Sequence, residues 1–167
     1  AATDTTLLFP MKLLLYGLNY TPEQVGIGKY SGELARWFAA RGHRVRVITA
    51  PPYFPQWQAS GNYYRCEQLA GVELRRCPLW VPRQPSGLTR LLHLASFAVS
   101  SLPVLLGQWR WSPDVVITVA PAFFCAPGAL LLSAPGGKRC HSWLHTQDFE
   151  LDAAFGLGLL EGRVLRR

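Results

Sequence analysis

The sequence predicts an open, doubly wound α/β sheet of mostly parallel strands. Three observations carry that expectation. Short apolar and β-branched runs recur along the chain, among them Arg44–Thr49 "RVRVIT" and Asp114–Val119 "DVVITV". Stretches with helical periodicity separate them, so strand and helix alternate over the whole length. Finally, 49% hydrophobic against 16% charged residues in a chain of 167 can bury one real core, which excludes disorder as the main description.

The first ten residues, "AATDTTLLFP", have no periodicity and precede Met11-Lys12. They read as an upstream extension outside the fold, and not as a signal peptide, since a basic start, a long apolar run and a small-residue cleavage site are all lacking. Met11–Leu18, "MKLLLYGL", is a continuous apolar run suited to a buried parallel strand. A loop from Asn19 to Ile27 follows, longer than the usual βα turn and carrying Pro22 and Gly26. From Lys29 to Ala40, the residues Tyr30, Leu34, Trp37 and Phe38 paint one face of a helix, which Gly42 terminates. Arg44–Thr49 completes a βαβ unit.

The same grammar continues through the rest of the chain. Gly71–Cys77 reads as a third strand, and Leu88–Gln108 as a long apolar helix interrupted by Pro103. Its Leu94–Gly107 core suits packing or shallow membrane contact better than spanning, because Pro103 breaks it while Arg90, His93 and Arg110 flank it. Asp114–Val119 is a fourth strand, Ala122–Ser133 a helix, and Arg139–Leu144 a fifth strand leading into His145. Leu151–Leu160 reads as a last helix with Asp148 as a candidate N-cap. There are no internal repeats.

A net charge of +7 implies attraction to something anionic: nucleic acid, a phosphate-bearing ligand or an acidic lipid surface. The basic residues are dispersed and form no recognition helix, which argues against a nucleic-acid partner. Cys66, Cys77, Cys125 and Cys140 are scattered, with neither C-x-x-C pairs nor histidines at metal spacing. They read as free thiols of a reducing cytoplasm, and no metal is expected.

In open α/β sheets ligands bind beyond the carboxyl ends of the strands, and three such segments are unusual here. The first holds Gly26 and Gly28 at a helix N-terminus, where free N–H groups and the helix dipole favour a phosphate. Its G-x-G-x-x-x-G spacing, with Gly32, is one residue off the dinucleotide fingerprint, and no acid follows the second strand at Thr49-Ala50-Pro51. A P-loop is absent, and the glycines could equally serve only the turn and close packing. The second segment is "APPYFPQW", Ala50–Trp57, with Tyr63 and Tyr64 beyond it; it offers flat faces that stack on sugars, or it packs on its own domain. The third is "HTQDFELD", His145–Asp152, where a histidine and a carboxylate could work beside a reacting hydroxyl, or where Asp148, Glu150 and Asp152 could simply favour a helix start.

Together, "MKLLLYGLNYTPEQVGIGKYSGELARWFAARGHRVRVITAPPYFPQW" and "HTQDFELDAAFGLGLL" resemble the amino-terminal half of family 4 glycosyltransferases of the colanic-acid and exopolysaccharide type. The resemblance covers Met11 to about Arg167. It implies a GT-B fold of two Rossmann-like domains, with the amino-terminal domain holding mainly the acceptor. It also implies retaining transfer from a UDP- or GDP-sugar, without metal or other cofactor, to a lipid-linked or other saccharide acceptor. The setting it implies is cytoplasmic, peripheral on the inner membrane face. Gly26, Ile27 and Gly28 match the loop that approaches the donor diphosphate, and His145 and Asp148 match the catalytic histidine motif. Tyr20 and Lys29 in the first loop region, with Tyr53, Phe54 and Trp57 in the second, are the candidate acceptor contacts.

The family's basic pair and its E-x7-E glutamates have no counterpart in these residues. On that ground residues 11–167 are expected to form an incomplete acceptor-side domain, with the donor domain absent, an unpaired sheet edge after the fifth strand and no transfer by the chain alone. The alternative is a non-catalytic Rossmann-like module binding a phosphate-bearing ligand or an anionic membrane surface.

Overall fold

In a computed structural model of the chain, residues 9–23, 26–120, 123–133 and 140–146 are described. The apolar run after Met11 becomes β1 (Lys12–Tyr16), with β2 (Arg44–Thr49), β3 (Arg65–Leu69), β4 (Val72–Arg76), β5 (Val115–Val119) and β6 (His141–His145) completing one sheet. Their order is β3-β4-β2-β1-β5-β6. Every neighbouring pair is parallel except β3 with β4. The helices are α1 (Gly26–Ala40), α2 (Gly87–Leu106) and α3 (Ala126–Ser133), with a 3-10 turn at Gly107–Arg110 extending α2.

Alternation along the strands builds two cores. Leu13 and Leu15 of β1, with Val45, Val47, Leu74 and Ile117, face the layer that contains Ala35, Leu34 and Phe38 of α1. Leu14 and Tyr16, with Ile48 and Val116, face Phe97 and Leu105 of α2 and Ala129 and Leu132 of α3. Each fully buried side chain of this size contributes roughly 1.5–3 kcal/mol of transfer free energy, so both faces of β1 are strongly fixed. The expected doubly wound sheet is therefore observed.

Three details differ from the sequence expectation. Helix α1 begins at Gly26, three residues before the amphipathic stripe, so the glycines lie inside its first turn. Strand β3 was not anticipated, because its sequence RCEQL is polar and mostly exposed; Ala70 and Gly71, with φ of 50° and 78°, turn it tightly back from β4. Helix α2 runs through Pro103 without ending. Pro103 is exposed, and the carbonyl it cannot serve belongs to Val99, itself on the solvent side, where water can satisfy it. The expected helix at Leu151–Leu160, the N-cap at Asp148 and residues 1–8 lie outside the described residues.

Candidate functional site

The parallel strands β1, β2, β5 and β6 present their carboxyl ends on one edge, and chain connectivity reverses direction between β1 and β5. A crevice opens at such a switch point. There Gly17 lets the chain leave β1 against β5, since a Cβ on it would stand 2.9 Å from Val119 Cβ.

The loop after β1 and the loop after β2 are fastened together by one carboxylate. Glu23 is only 6% exposed. Its Oε1 accepts the backbone N–H groups of Tyr53 and Phe54, each at 3.2 Å, and its Oε2 accepts Asn19 Nδ2–H at 3.0 Å. Asn19 also donates to the Tyr53 hydroxyl at 3.3 Å. From β4, the Arg76 guanidinium reaches the same two loops. It donates to the carbonyls of Ala50 at 2.9 Å and Thr21 at 2.8 Å, and pairs with Glu67 at 3.3 Å. Burial lowers the Arg76 pKa from its usual value, against the opposing pull of Glu67; the group remains a cation at neutral pH.

These bonds hold an aromatic shelf. The Tyr53 ring packs edge-on against Trp57 (5.7 Å) and against His93 of α2 (4.8 Å), while Arg90 lies 5.6 Å over Trp57. His93 Nδ1 bonds the Trp80 carbonyl at 2.6 Å, an arrangement that fixes the ring behind the shelf. Trp57 itself sits at φ 53°, an uncommon backbone state for a bulky residue and one that the surrounding packing must hold. Phe54 is exposed at 39%, and Trp57 is half-buried, so these two offer faces to a ligand.

The glycines serve first as packing positions. A Cβ at Gly28 would fall 2.7 Å from both Cβ and Oε2 of Glu23, and one at Gly32 would fall 3.0 Å from Thr21 Cβ. The first turns of α1 can therefore lie on the Glu23 loop only because both residues lack side chains. Gly26 is different: its φ is +60° and nothing lies within 4 Å of its Cβ position. At Gly28, Glu23 lies on the side where a Cβ would stand, so the missing side chain makes room for that carboxylate. The expectation for Tyr20 meets a buried ring. It is 2% exposed, belongs to the core with Ala35 and Leu15, and burial pushes its phenol up to about 12 despite Arg36 and Arg76 nearby; it has no face for an acceptor. Tyr53 is likewise buried, and it shapes the shelf from within.

His145 ends β6, pairing with Val119, and its carbonyl accepts the Ala120 N–H at 3.0 Å. It lines an open groove of about 690 Å³ with Thr146 and with Tyr30, Glu33, Leu34 and Trp37 of α1. Lys29 is exposed at the start of the same helix, its Nζ 5.8 Å over the Tyr30 ring. An imidazole, a carboxylate and exposed aromatic rings around one groove can orient and stack a polyhydroxylated ring. The structure thus brings His145 to α1 and not to the Tyr53–Trp57 shelf, which lies toward α2. Asp148 lies outside the described residues.

Sequence reasoning missed Asn19, Glu23, Arg76 and His93. A signal existed for two of them. Arg76 stands at the third buried position of the alternating strand Val72, Leu74, Arg76, and His93 heads the buried row His93, Phe97, Ser101, Leu105. Among the described residues, no group of three or more His, Cys, Asp or Glu could hold a metal ion. Burial raises the thiols of Cys77 and Cys125 to about 12, so both stay neutral and inert.

Comparison with known proteins agrees with this architecture. The family model described as "Glycosyl transferase 4-like domain" matches residues 25–167. The chain is 58% identical over 153 residues to the "Putative colanic acid biosynthesis glycosyl transferase WcaI" of Escherichia coli (strain K12), covering 89% of this chain and 37% of that protein. It therefore spans little more than a third of the length of that relative. Among solved structures it is similar to the catalytic domain of starch synthase IV from Arabidopsis thaliana bound to ADP and acarbose, with a TM-score of 0.62 at 18% identity. That likeness covers 85% of this chain and 35% of the other, and it shows that the two share a fold over that stretch. With more than half its length matched by the family model, the chain belongs to the glycosyl transferase 4-like domain family.

Proposed function

We propose that residues 11–167 form the acceptor-side domain of a hexosyl-transferring enzyme of cell-surface polysaccharide biosynthesis, with residues 1–10 outside it. The donor is a UDP- or GDP-sugar, transfer retains anomeric configuration, and the acceptor is a lipid-linked saccharide met at the cytoplasmic face of the inner membrane. The observation that carries this reading is the aromatic shelf of Phe54 and Trp57 held by Glu23 and Arg76 at the carboxyl edge of the sheet, in a chain 58% identical to a putative colanic acid glycosyl transferase. Stacking on the shelf orients an acceptor ring. The open first turn of α1 at Gly26 and Ile27 carries no acid of its own and suits the donor diphosphate, while His145 hydrogen-bonds the donor sugar.

A leaving diphosphate needs fixed cations in a dry cleft. Lys29 and Arg90 stand in open solvent and Arg76 is committed to two carbonyls, so the described residues fix no cation in a dry cleft, and the 167 residues alone bind substrates and turn none over. Saturation-transfer NMR with a panel of sugar nucleotides and a polyprenyl-diphosphate saccharide analogue tests this. Phe54→Ala should remove the acceptor signal and His145→Ala the donor-sugar signal, each with the fold intact. Sugar transfer by the isolated chain would overturn the expected inactivity. Donor and acceptor signals that persist in both variants would overturn the site.

A further inference from the structure

Helix α2 has an unusual outward face. Its inward row is His93, Phe97, Ser101 and Leu105, packed on the sheet. On the opposite side Leu88, Leu92, Ala95, Val99, Leu102, Leu106 and Trp109 recur at intervals of four and three, which on a helix gathers them into a strip about 100° wide. This strip is open to solvent: Leu88 is 70% exposed, Leu92 53%, Val99 73% and Trp109 54%. A surface helix ordinarily turns charge to water, and a helix apolar all round is ordinarily buried. This one is neither.

The charge and the aromatic residues around the strip favour a lipid surface as its partner. The segment Gly87–Arg110 contains no acid, and Arg83 and Arg90 stand near one end with Arg110 at the other, all exposed. The hydroxyl of exposed Tyr64 donates to the Ser100 carbonyl at 2.8 Å, and the backbone N–H of exposed Trp80 donates to Ser96 Oγ at 2.9 Å, so two aromatic residues flank the helix while Trp109 closes its end. Basic side chains and interfacial aromatics around an apolar strip are complementary to the anionic headgroup layer of a bilayer. Pairing with a second copy fits less well, since a coiled-coil seam is bordered by charges of both signs and this one is bordered by Ser, Ala, Val and Leu. By length and composition the segment could cross a membrane, but its inward row is committed to the sheet, so it lies in the plane.

We propose that the outward face of α2 docks this domain on an anionic lipid surface, with Leu88, Leu92, Val99, Leu102, Leu106 and Trp109 entering the headgroup boundary. Arg90 links the two functions, because it lies over Trp57 of the aromatic shelf. Docking thus sets the shelf close to the bilayer plane, where the sugar of a lipid-linked acceptor emerges. The inference extends the membrane-facing part of the reading above, and it rests on that reading only for this last step.

Co-sedimentation of the 167-residue chain with phosphatidylcholine vesicles, with and without phosphatidylglycerol, tests it in the absence of donor and acceptor. The chain should pellet with the anionic vesicles, weakly with the neutral ones, and less as salt rises. The triple variant Leu92→Ser/Val99→Ser/Leu106→Ser should bind the anionic vesicles on the order of tenfold more weakly. Leu69→Ser, an exposed leucine on β3, should bind as wild type, and circular dichroism should place all three proteins in the same fold. A wild-type chain that stays in the supernatant, or a triple variant that binds undiminished, overturns the proposal. So does lipid-free dimerisation that the triple variant abolishes, which would assign the strip to a second copy. None of these results would touch the transferase reading, since no sugar substrate is present.

Discussion

Glu23 Oε1 lies 3.2 Å from the backbone nitrogen of Tyr53, thirty positions away in sequence and in the neighbouring loop. The same oxygen accepts the Phe54 N–H, so one buried carboxylate fixes the entry to the aromatic shelf. Removing it strands two backbone donors in a water-poor site. Glu23→Ala should cost about 3 kcal/mol, near the sum of two unsatisfied buried donors. Chemical denaturation measures this directly, and a loss below about 1 kcal/mol would mean that water replaces the carboxylate at no penalty.

The glycine pair separates by mechanism. Gly28→Ala drives a methyl to 2.7 Å from the Glu23 side chain and should cost about 3 kcal/mol through overpacking and displacement of the carboxylate. Gly26→Ala meets no atom and suffers only its φ of +60°, a penalty of about 1 kcal/mol. The urea midpoint of Gly28→Ala should therefore fall well below that of Gly26→Ala. Equal midpoints would show that α1 shifts freely over the loop.

Arg76 holds two carbonyls with two separate N–H groups, a task for a planar fork and not for a point charge. Arg76→Lys keeps the charge but can serve only one loop at a time. Amide exchange should then rise in residues 19–23 or 50–57 while the strands stay protected, with a global loss of about 1–2 kcal/mol. Uniform exchange across the sheet would mean that Arg76 supports the core and not the loops.

The extent to which this was legible follows from what each element depends on. β1, β2 and β5 announce themselves as short apolar and β-branched runs and α1 by its helical spacing, and both signals are local information. β3 is polar and pairs only because β4 offers an edge, so nothing within RCEQL betrays it. Helix α2 was legible in extent, yet sequence alone could not say that its second apolar face stays open. At the site, the motifs drew attention to the loops after β1 and β2, yet they gave no sign that the missing side chain of Gly28 makes room for Glu23. A carboxylate in a Pro-Gly loop looks solvated until a partner thirty residues away is known, whereas Arg76 at an inward strand position was a readable anomaly.

His93 supplies a pH test of the shelf. Burial lowers its pKa from the usual value near 6.5, with Arg90 acting in the same direction and the bond to the Trp80 carbonyl opposing. The ring therefore stays neutral in the fold at a pH where the unfolded chain would already take a proton. The sign follows: stability from this group is complete above about pH 6.5 and is lost as pH falls toward the depressed folded value, at no more than about 1.4 kcal/mol per pH unit. Among the described residues Nε2 is buried without a hydrogen-bond partner, so protonation there would also place a donor where nothing receives it. His93→Gln keeps an N–H for the Trp80 carbonyl and removes the titration. Denaturation midpoints measured from pH 7.5 to pH 5 should decline more steeply for wild type than for His93→Gln, with the two curves converging on acidification. Curves that run parallel would mean that His93 takes its proton as readily in the folded shelf as in the unfolded chain, and that the acid sensitivity of the chain arises at other groups.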